Sequence, residues 1–500
     1  MSIPVAENLP HFPVSGCLDF RKGVWDNKIS NRLYRDQKTK GDLYMDRSAV
    51  DLGQGKVSRL LFRLALPTIA SQIVNMLYNL VDRIYIGHMK PVETVGQLAL
   101  TGVGICMPLI MICSAFAALM AMGGAPRASI QEGKGNSAEA ERIMGNCFTA
   151  LVVTALVLTV VFRCFARPLL LLFGGSENTI AYAVRYMQIY ALGTLFVQLT
   201  LGMNAYITAQ GFTTVSMKTV LIGAVLNTIL DPIFIFALKL GVQGAALATI
   251  LSQAVSACWV LHFLLHGKSK WRLWKEHLRP RARVLLPCMA LGLSPFIMQS
   301  TESLIAVCFN SSLLKYGGDV AVGSMTVLTS IMQFALMPLQ GLTQGAQPII
   351  SYNYGARNRS RVEEAFRVLL RTCLLYSLAL WLLVQVSPRT FVLIFNNSPQ
   401  LVDYAARALR IYMGATGLFG IQIACQQTFI ALGNAKTSLF LAILRKIILL
   451  IPLIYLLPCF FSDKAVAVFL AEPVADLLAV CTTACMFSVQ FKKTMRELEP

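Results

Sequence analysis

The sequence predicts an all-α polytopic membrane protein, with about twelve transmembrane helices in two pseudo-symmetric six-helix bundles. Three observations lead there. The 500-residue chain is 56% hydrophobic and only 14% charged, whereas a soluble protein would carry about 25% charge. Apolar runs of about 20 residues, long enough to cross a bilayer core, recur along nearly its full length. Finally, the halves repeat. Phe173 and Phe395, Tyr182 and Tyr404, Tyr190 and Tyr412, Ala209 and Ala431, Gly211 and Gly433, and Ser216 and Ser438 are all 222 positions apart. A second register, 228 apart, pairs Pro67 with Pro295 and Asp82 with Asn310. One offset kept over such a length, turn glycines included, is the signature of an internal repeat. Six spans per half is an even number, so both halves enter the membrane in the same direction, with a cleft between them.

Taken in order, residues 1–56 carry mixed charges, Pro4, Pro10, Pro13 and His11, and no run able to span a bilayer. No apolar core follows their basic residues, so they do not form a signal peptide. They are expected to be a poorly ordered cytosolic extension, and Met45 is a candidate native start. Spans are expected near 60–87, 97–123, 143–164, 180–208, 215–238, 242–266, 284–313, 318–350, 362–386, 402–431, 437–461 and 465–490. Residues 57–266 form the N-terminal bundle, 267–283 a basic linker that looks like a hinge, 284–490 the C-terminal bundle and 491–500 a cytosolic tail. Lysine and arginine in the connections divide about 19 against about 7. The richer side is expected to be cytoplasmic, with both termini inside. The net charge of +19 therefore reads as orientation against a bilayer, with no nucleic-acid partner. Thirteen scattered cysteines without a CxxC pair suggest free thiols in apolar helices, with no metal cluster.

Chemistry concentrates in residues 219–236, TVLIGAVLNTILDPIFIF. Asn227 and Asp231 are four apart, which on a helix places both side chains on one face. Pro232 lacks an N–H, which frees the carbonyl of Thr228. A carboxylate at that depth costs several kcal/mol unless it is paired, hydrated or protonated. A bound proton or cation is the leading reading, and a salt bridge to a neighbouring helix or a wet location is the alternative. By the repeat, Asn227 falls opposite Leu449 and Asp231 opposite Leu453, so this acidic site belongs to the first half only.

Several segments resemble the multidrug and toxic compound extrusion family of secondary transporters over about residues 55–490. They are LALPTIASQIVNMLYNLVDRIYIG, NAYITAQG, LNTILDPIF, GVQGAALATILSQ, QGLTQGAQPIISYNYGARN, RKIILLIPLIYLLP and EPVADLL. The resemblance implies two six-helix bundles forming a V-shaped cleft. It implies export of organic, often cationic, xenobiotics in exchange for inward H⁺ or Na⁺ across a bacterial inner membrane, with no other cofactor. It places a cation or proton site of the bacterial branch at Asp82, Asn227, Asp231 and Thr249, with Asn204 matching the family's fourth-helix amide. Asn204 lies near the cytoplasmic end, which makes Gln198 a depth-favoured substitute. For Na⁺, the ligands would be Asp82, Asn227 and Asp231. Pro67 matches a first-helix proline, either a hinge answering to Asp82 or merely the mark of the helix start.

In the second half, Glu302 and Gln299 sit in span seven, and Arg445 and Lys446 in span eleven. Glu302 would attract a cationic substrate in the cleft or form an ion pair with Arg445. Met298 and Phe196, with other methionines and phenylalanines, would line a forgiving apolar pocket or simply fill the core. A lipid-linked saccharide flippase of the same superfamily, which would favour a basic cleft, and an uncoupled channel or scaffold are the competing readings. No enzyme motif stands out. A monomer is expected.

Overall fold

A backbone inside a bilayer must satisfy its polar groups within each segment, and helices do so. The computed structural model describes residues 50–87, 93–395 and 398–499, and every regular element among them is helical. The candidate start at Met45 and the rest of the N-terminal extension up to residue 49 lie outside the described residues. The first half contains α1 (Val57–Gly87), α2 (Glu93–Gly133), α3 (Ser137–Leu172), α4 (Glu177–Ala209), α5 (Thr213–Pro232, continued by a π-turn at Ile233–Ala237) and α6 (Val242–His266). After a 3₁₀ turn at Lys275–Leu278 come α7 (Ala282–Gly355), α8 (Arg359–Val386), α9 (Pro388–Leu393), α10 (Pro399–Tyr412) and α11 (Thr416–Ala431). The second half ends with α12 (Ala435–Ile443, continued by a π-turn at Leu444–Leu450), α13 (Ile451–Leu456) and α14 (Lys464–Arg496).

Among the described residues, ten helices are long and apolar enough to cross a membrane, or eleven if α10 and α11, bent by 48°, form one span. With 74 residues, α7 would run about 110 Å if straight, more than three bilayer cores. It is interrupted at Gly318, with φ 65° and ψ −164°, a backbone that is essentially confined to glycine. Counting its two arms separately brings the spans to the expected twelve.

The repeat survives in atomic detail. Ser129 Oγ donates to the Ala209 carbonyl at 3.1 Å, and Ser351 Oγ to the Ala431 carbonyl at 2.8 Å. Asn136 caps α3 by accepting from Glu139 N–H, and Asn358 caps α8 by accepting from Arg361 N–H. Each of these pairs is related by the same 222-residue offset.

The halves meet through glycines. A Cβ on Gly133 would lie 2.0 Å from the Tyr352 carbonyl oxygen, and one on Gly355 2.1 Å from that of Ile130. Thr68 Oγ1 ties α1 to the second arm of α7 by donating to the Gly341 carbonyl at 2.6 Å. Residues 50–56, expected to be loose, are packed. Val50 and Leu52 bury with Met495 and Leu498 in one apolar cluster. The Leu52 carbonyl accepts from Asn353 Nδ2 at 2.9 Å, and the Gly55 carbonyl from Arg361 Nη1 at 2.8 Å. Likewise α14 continues to Arg496, so residues 491–498 are not a free tail.

The basic linker is fastened rather than loose. Trp271 is 1% exposed, and its backbone N–H donates to Gln210 Oε1 at 3.0 Å. Asn146 and Thr149 of α3 donate to the His277 and Leu278 carbonyls at 3.1 and 2.6 Å, and Arg281 N–H returns to Asn146 Oδ1 at 2.6 Å. The linker is therefore hydrogen-bonded to the first half along its length. All twelve cysteines among the described residues are free.

Candidate functional site

Helix α5 packs against α1, and the acidic residues face each other there. Asn227 and Asp231 are 2% and 0% exposed. Their four-residue spacing stacks them on the buried face of α5, and Asn227 Nδ2 donates to Asp231 Oδ1 at 3.2 Å. The Asp231 carboxyl lies near the Asp82 carboxyl on α1. Two ionised carboxylates are acceptors only, and no donor among the described residues serves Asp231 Oδ2 or Asn227 Oδ1. Two ionised carboxyls buried side by side repel one another, and protonation of one or a cation beside them relieves that repulsion.

Pro232 shapes the other edge. The Ile233 N–H turns to the Leu230 carbonyl, and the chain widens into the π-turn, where Leu238 N–H reaches the Ile233 carbonyl at 2.9 Å. π-turns of this kind mark functional sites in helices. The turn carries Phe236 into an edge-on contact with Tyr85 of α1, ring centres 6.3 Å apart.

Two tyrosines complete the surroundings, and neither was among the sequence candidates. The Tyr186 hydroxyl lies near Thr249 and both acids. Tyr78, on α1, is close to both as well. Tyr78 precedes Asp82 by four residues, a spacing that could have flagged it; Tyr186 is brought in only by the packing of α4 on α6. Thr249 lies near Tyr186, while its own hydroxyl bonds back to the Ala245 carbonyl at 3.0 Å.

The two amide candidates lie elsewhere. Asn204 Nδ2 donates to the Ser216 carbonyl at 3.3 Å, and Ser216 is about 22 Å from Asp231 along α5. Gln198 is fully buried and donates to the Cys113 carbonyl at 2.7 Å, about 18 Å along α4 from Tyr186. Pro67 lies ten residues inside α1, so it does not mark the helix start. No cluster of three His, Cys, Asp or Glu residues able to hold a metal occurs among the described residues.

The second half holds a buried charge network that sequence reading found only in part. Arg445 Nε meets Asp476 Oδ1 at 2.6 Å, and its Nη2 meets Glu472 Oε1 at 3.2 Å. Its guanidinium also lies 4.4 Å from the Phe419 ring centre. Glu302 pairs with Lys446 at 2.8 Å, not with Arg445. Neighbouring residues on a helix point about 100° apart, so the two bases face different acids. Glu472 and Asp476 have the same four-residue spacing as Asn227 and Asp231, which is the signal that could have found them. Met298 Sδ accepts from Gln426 Nε2 at 3.3 Å, in a buried polar chain that continues through Gln422 to Thr483. Gln299 is partly exposed on the first arm of α7. Phe196 packs into the same apolar cluster as Phe116 and Phe296, whose rings touch edge-on at 5.0 Å.

The MatE family model matches residues 67–233 and again 295–456, two copies whose starts repeat the 228-residue offset. The chain is 24% identical over 429 residues to the multidrug export protein MepA of Staphylococcus haemolyticus, covering 85% of this chain and 93% of that one. It is 21% identical over 439 residues to that of Staphylococcus saprophyticus, covering 87% and 94%. Among solved structures, MATE in the bent conformation superposes with a TM-score of 0.83 at 20% identity, covering 89% of this chain and 98% of that one. The MATE multidrug transporter DinF-BH superposes at 0.81 with 33% identity and the same coverage.

Proposed function

The chain belongs to the MatE family, and from that premise we propose that it is a secondary antiporter that exports organic, often cationic, compounds in exchange for inward H⁺ or Na⁺. It is a multi-span membrane transporter, not an enzyme. The names of its relatives support multidrug export. The observation that carries the coupling mechanism is the meeting of Asp231 with Asp82 in the first half.

In this cycle the acid pair takes a proton or cation from outside, and each elementary charge moved down 100 mV releases roughly 2.3 kcal/mol. Occupancy neutralises the pair and relaxes α1 against α5. Because α1 also grips α7 at Gly341, that change reaches the second half. A substrate that binds one of the two states better is thereby coupled to the ion. If the ion is Na⁺, Asp82, Asn227 and Asp231 supply oxygen ligands, with Thr249 beside them. On this reading residues 57–266 and 284–490 are the two moving bundles, with the linker travelling with the first. Val50 and Leu52, just before α1, pack with Met495 and Leu498 in one cluster and the basic residues of the connections favour that side, which supports cytoplasmic termini in a bacterial inner membrane. The transporter is read as a monomer with Glu302, Gln299, Met298 and Phe196 facing the substrate.

A flippase of lipid-linked saccharides would favour a basic cleft. The second half instead sets three acids, Glu302, Glu472 and Asp476, against two bases, which favours the drug antiporter.

Ethidium efflux from everted vesicles tests the proposal, with a pH jump compared with a Na⁺ jump. Asp82→Asn and Asp231→Asn should each abolish ion-driven efflux while leaving the folded protein in the membrane. Full activity in both variants would remove the acid pair from the mechanism. An uncoupled channel would show no ion-driven counterflow in proteoliposomes.

A further inference from the structure

Away from the acidic site, α8 and the end of α14 line an open groove of about 570 Å³. Its rim is basic and its floor is apolar. Arg359 is engaged by Glu363 at 2.7 Å and by Glu499. Arg367, Lys492 and Arg496 also line the groove; all three are exposed, and none makes an ion pair among the described residues. Phe366, Leu370 and Phe491 form the floor. Phe366 and Phe491 each stack on Phe487 at 4.4 and 4.7 Å, which holds that floor rigid. From Arg359 at the helix end to Leu370 is about 16 Å along α8, within the roughly 20 Å of one leaflet with its headgroups. Further along the face that carries Arg367, Arg371 is exposed first, and then Leu375 and Leu378.

The groove therefore passes from cationic to apolar in the direction in which a phospholipid passes from headgroup to chain. We propose that it binds an anionic phospholipid, with Arg367, Lys492 and Arg496 holding the phosphate and an acyl chain lying over Phe366, Leu370 and Phe491. With four bases against the two acids Glu363 and Glu499, the lining keeps a net charge of +2, which selects a net-negative headgroup over a zwitterionic one.

Native mass spectrometry of the full chain in detergent, titrated with dioleoyl phosphatidylglycerol or dioleoyl phosphatidylcholine, tests this. Phosphatidylglycerol adducts should survive at activation energies that strip phosphatidylcholine. Each cation near an anionic lipid is worth about a fivefold gain, so R367Q/K492Q/R496Q should lose phosphatidylglycerol adducts by more than about tenfold. Its phosphatidylcholine adducts should fall by much less, and K275Q/R279Q/R283Q, of equal charge change, should behave as wild type. Equal retention of the two lipids by wild type would overturn the proposal without recourse to any variant. So would an equal loss in the linker control, or displacement of the lipid by inorganic phosphate alone.

Discussion

Lys446 Nζ stands 2.8 Å from Glu302 Oε1, joining the π-turn after α12 to the first arm of α7, while half of the Glu302 side chain remains accessible. The lysine is buried and the acid is not, so an arriving cation meets a carboxylate that already has a tethered counter-ion. Lys446→Gln should lower the KM for a cationic substrate about fivefold, the scale of a partly exposed ion pair, with little change in kcat. Glu302→Gln should raise it. Initial rates of ethidium efflux against concentration separate the two effects, and equal KM values in both variants would take Glu302 out of substrate recognition.

Arg445 is a matter of stability. Its guanidinium, 7% exposed, is shared by Asp476 and Glu472, so Arg445→Ala leaves two buried acids without a base. Removing one partner of a buried pair costs about 3–5 kcal/mol, which thermal unfolding in detergent should show as a large fall in midpoint. Arg445→Met combined with Asp476→Leu and Glu472→Met should recover much of that loss, because no stranded charge remains.

Gly133 and Gly355 offer a matched pair of tests. Each has room for no Cβ, since a carbonyl oxygen of the opposite half already lies 2.0 or 2.1 Å from where it would sit. Alanine at either position should cost about 1–3 kcal/mol by overpacking. It should also raise thiol labelling of a cysteine introduced at Ser129, beside this seam. An unchanged melting midpoint in both variants would show that the seam is not closed as described.

His277 gives the linker a pH dependence. Burial, and then the neighbouring Arg142, lower its pKa from the usual 6.5. A base with a depressed folded pKa favours the docked linker above its free value. Docking therefore weakens as pH falls through about 6.5 and on through the lowered value. Trypsin cleavage at Arg272 or Lys275 should be faster at about pH 5.5 than at about pH 7.5 once corrected for the enzyme's own profile. His277→Gln should flatten that difference.

Periodicity and composition made most of the fold legible, because a twenty-residue apolar run has few fates in a bilayer. The span boundaries carried less information: α2 extends ten residues beyond its expected end at 123, where charge no longer marks where a helix stops. The site was legible where its residues share a helix, as Asn227 and Asp231 do. It was illegible where packing brings strangers together, as with Tyr186, and misleading where a motif match stood alone, as with Asn204, whose depth already argued against it. Lys446 rather than Arg445 meets Glu302 because rotation about the helix axis decides the partner, and sequence spacing alone leaves that rotation open.

The short segment before α1 has a bearing on how motion could be watched. The Val50 carbonyl lies against Gly211 in the first half, while the Leu52 carbonyl is held by Asn353 in the second. Any rearrangement that parts Gly133 from Tyr352 must strain or release one of those two anchorages. A fluorophore attached at Val50 would then change its surroundings once per turnover, turning this corner of the molecule into a built-in odometer for single transport events.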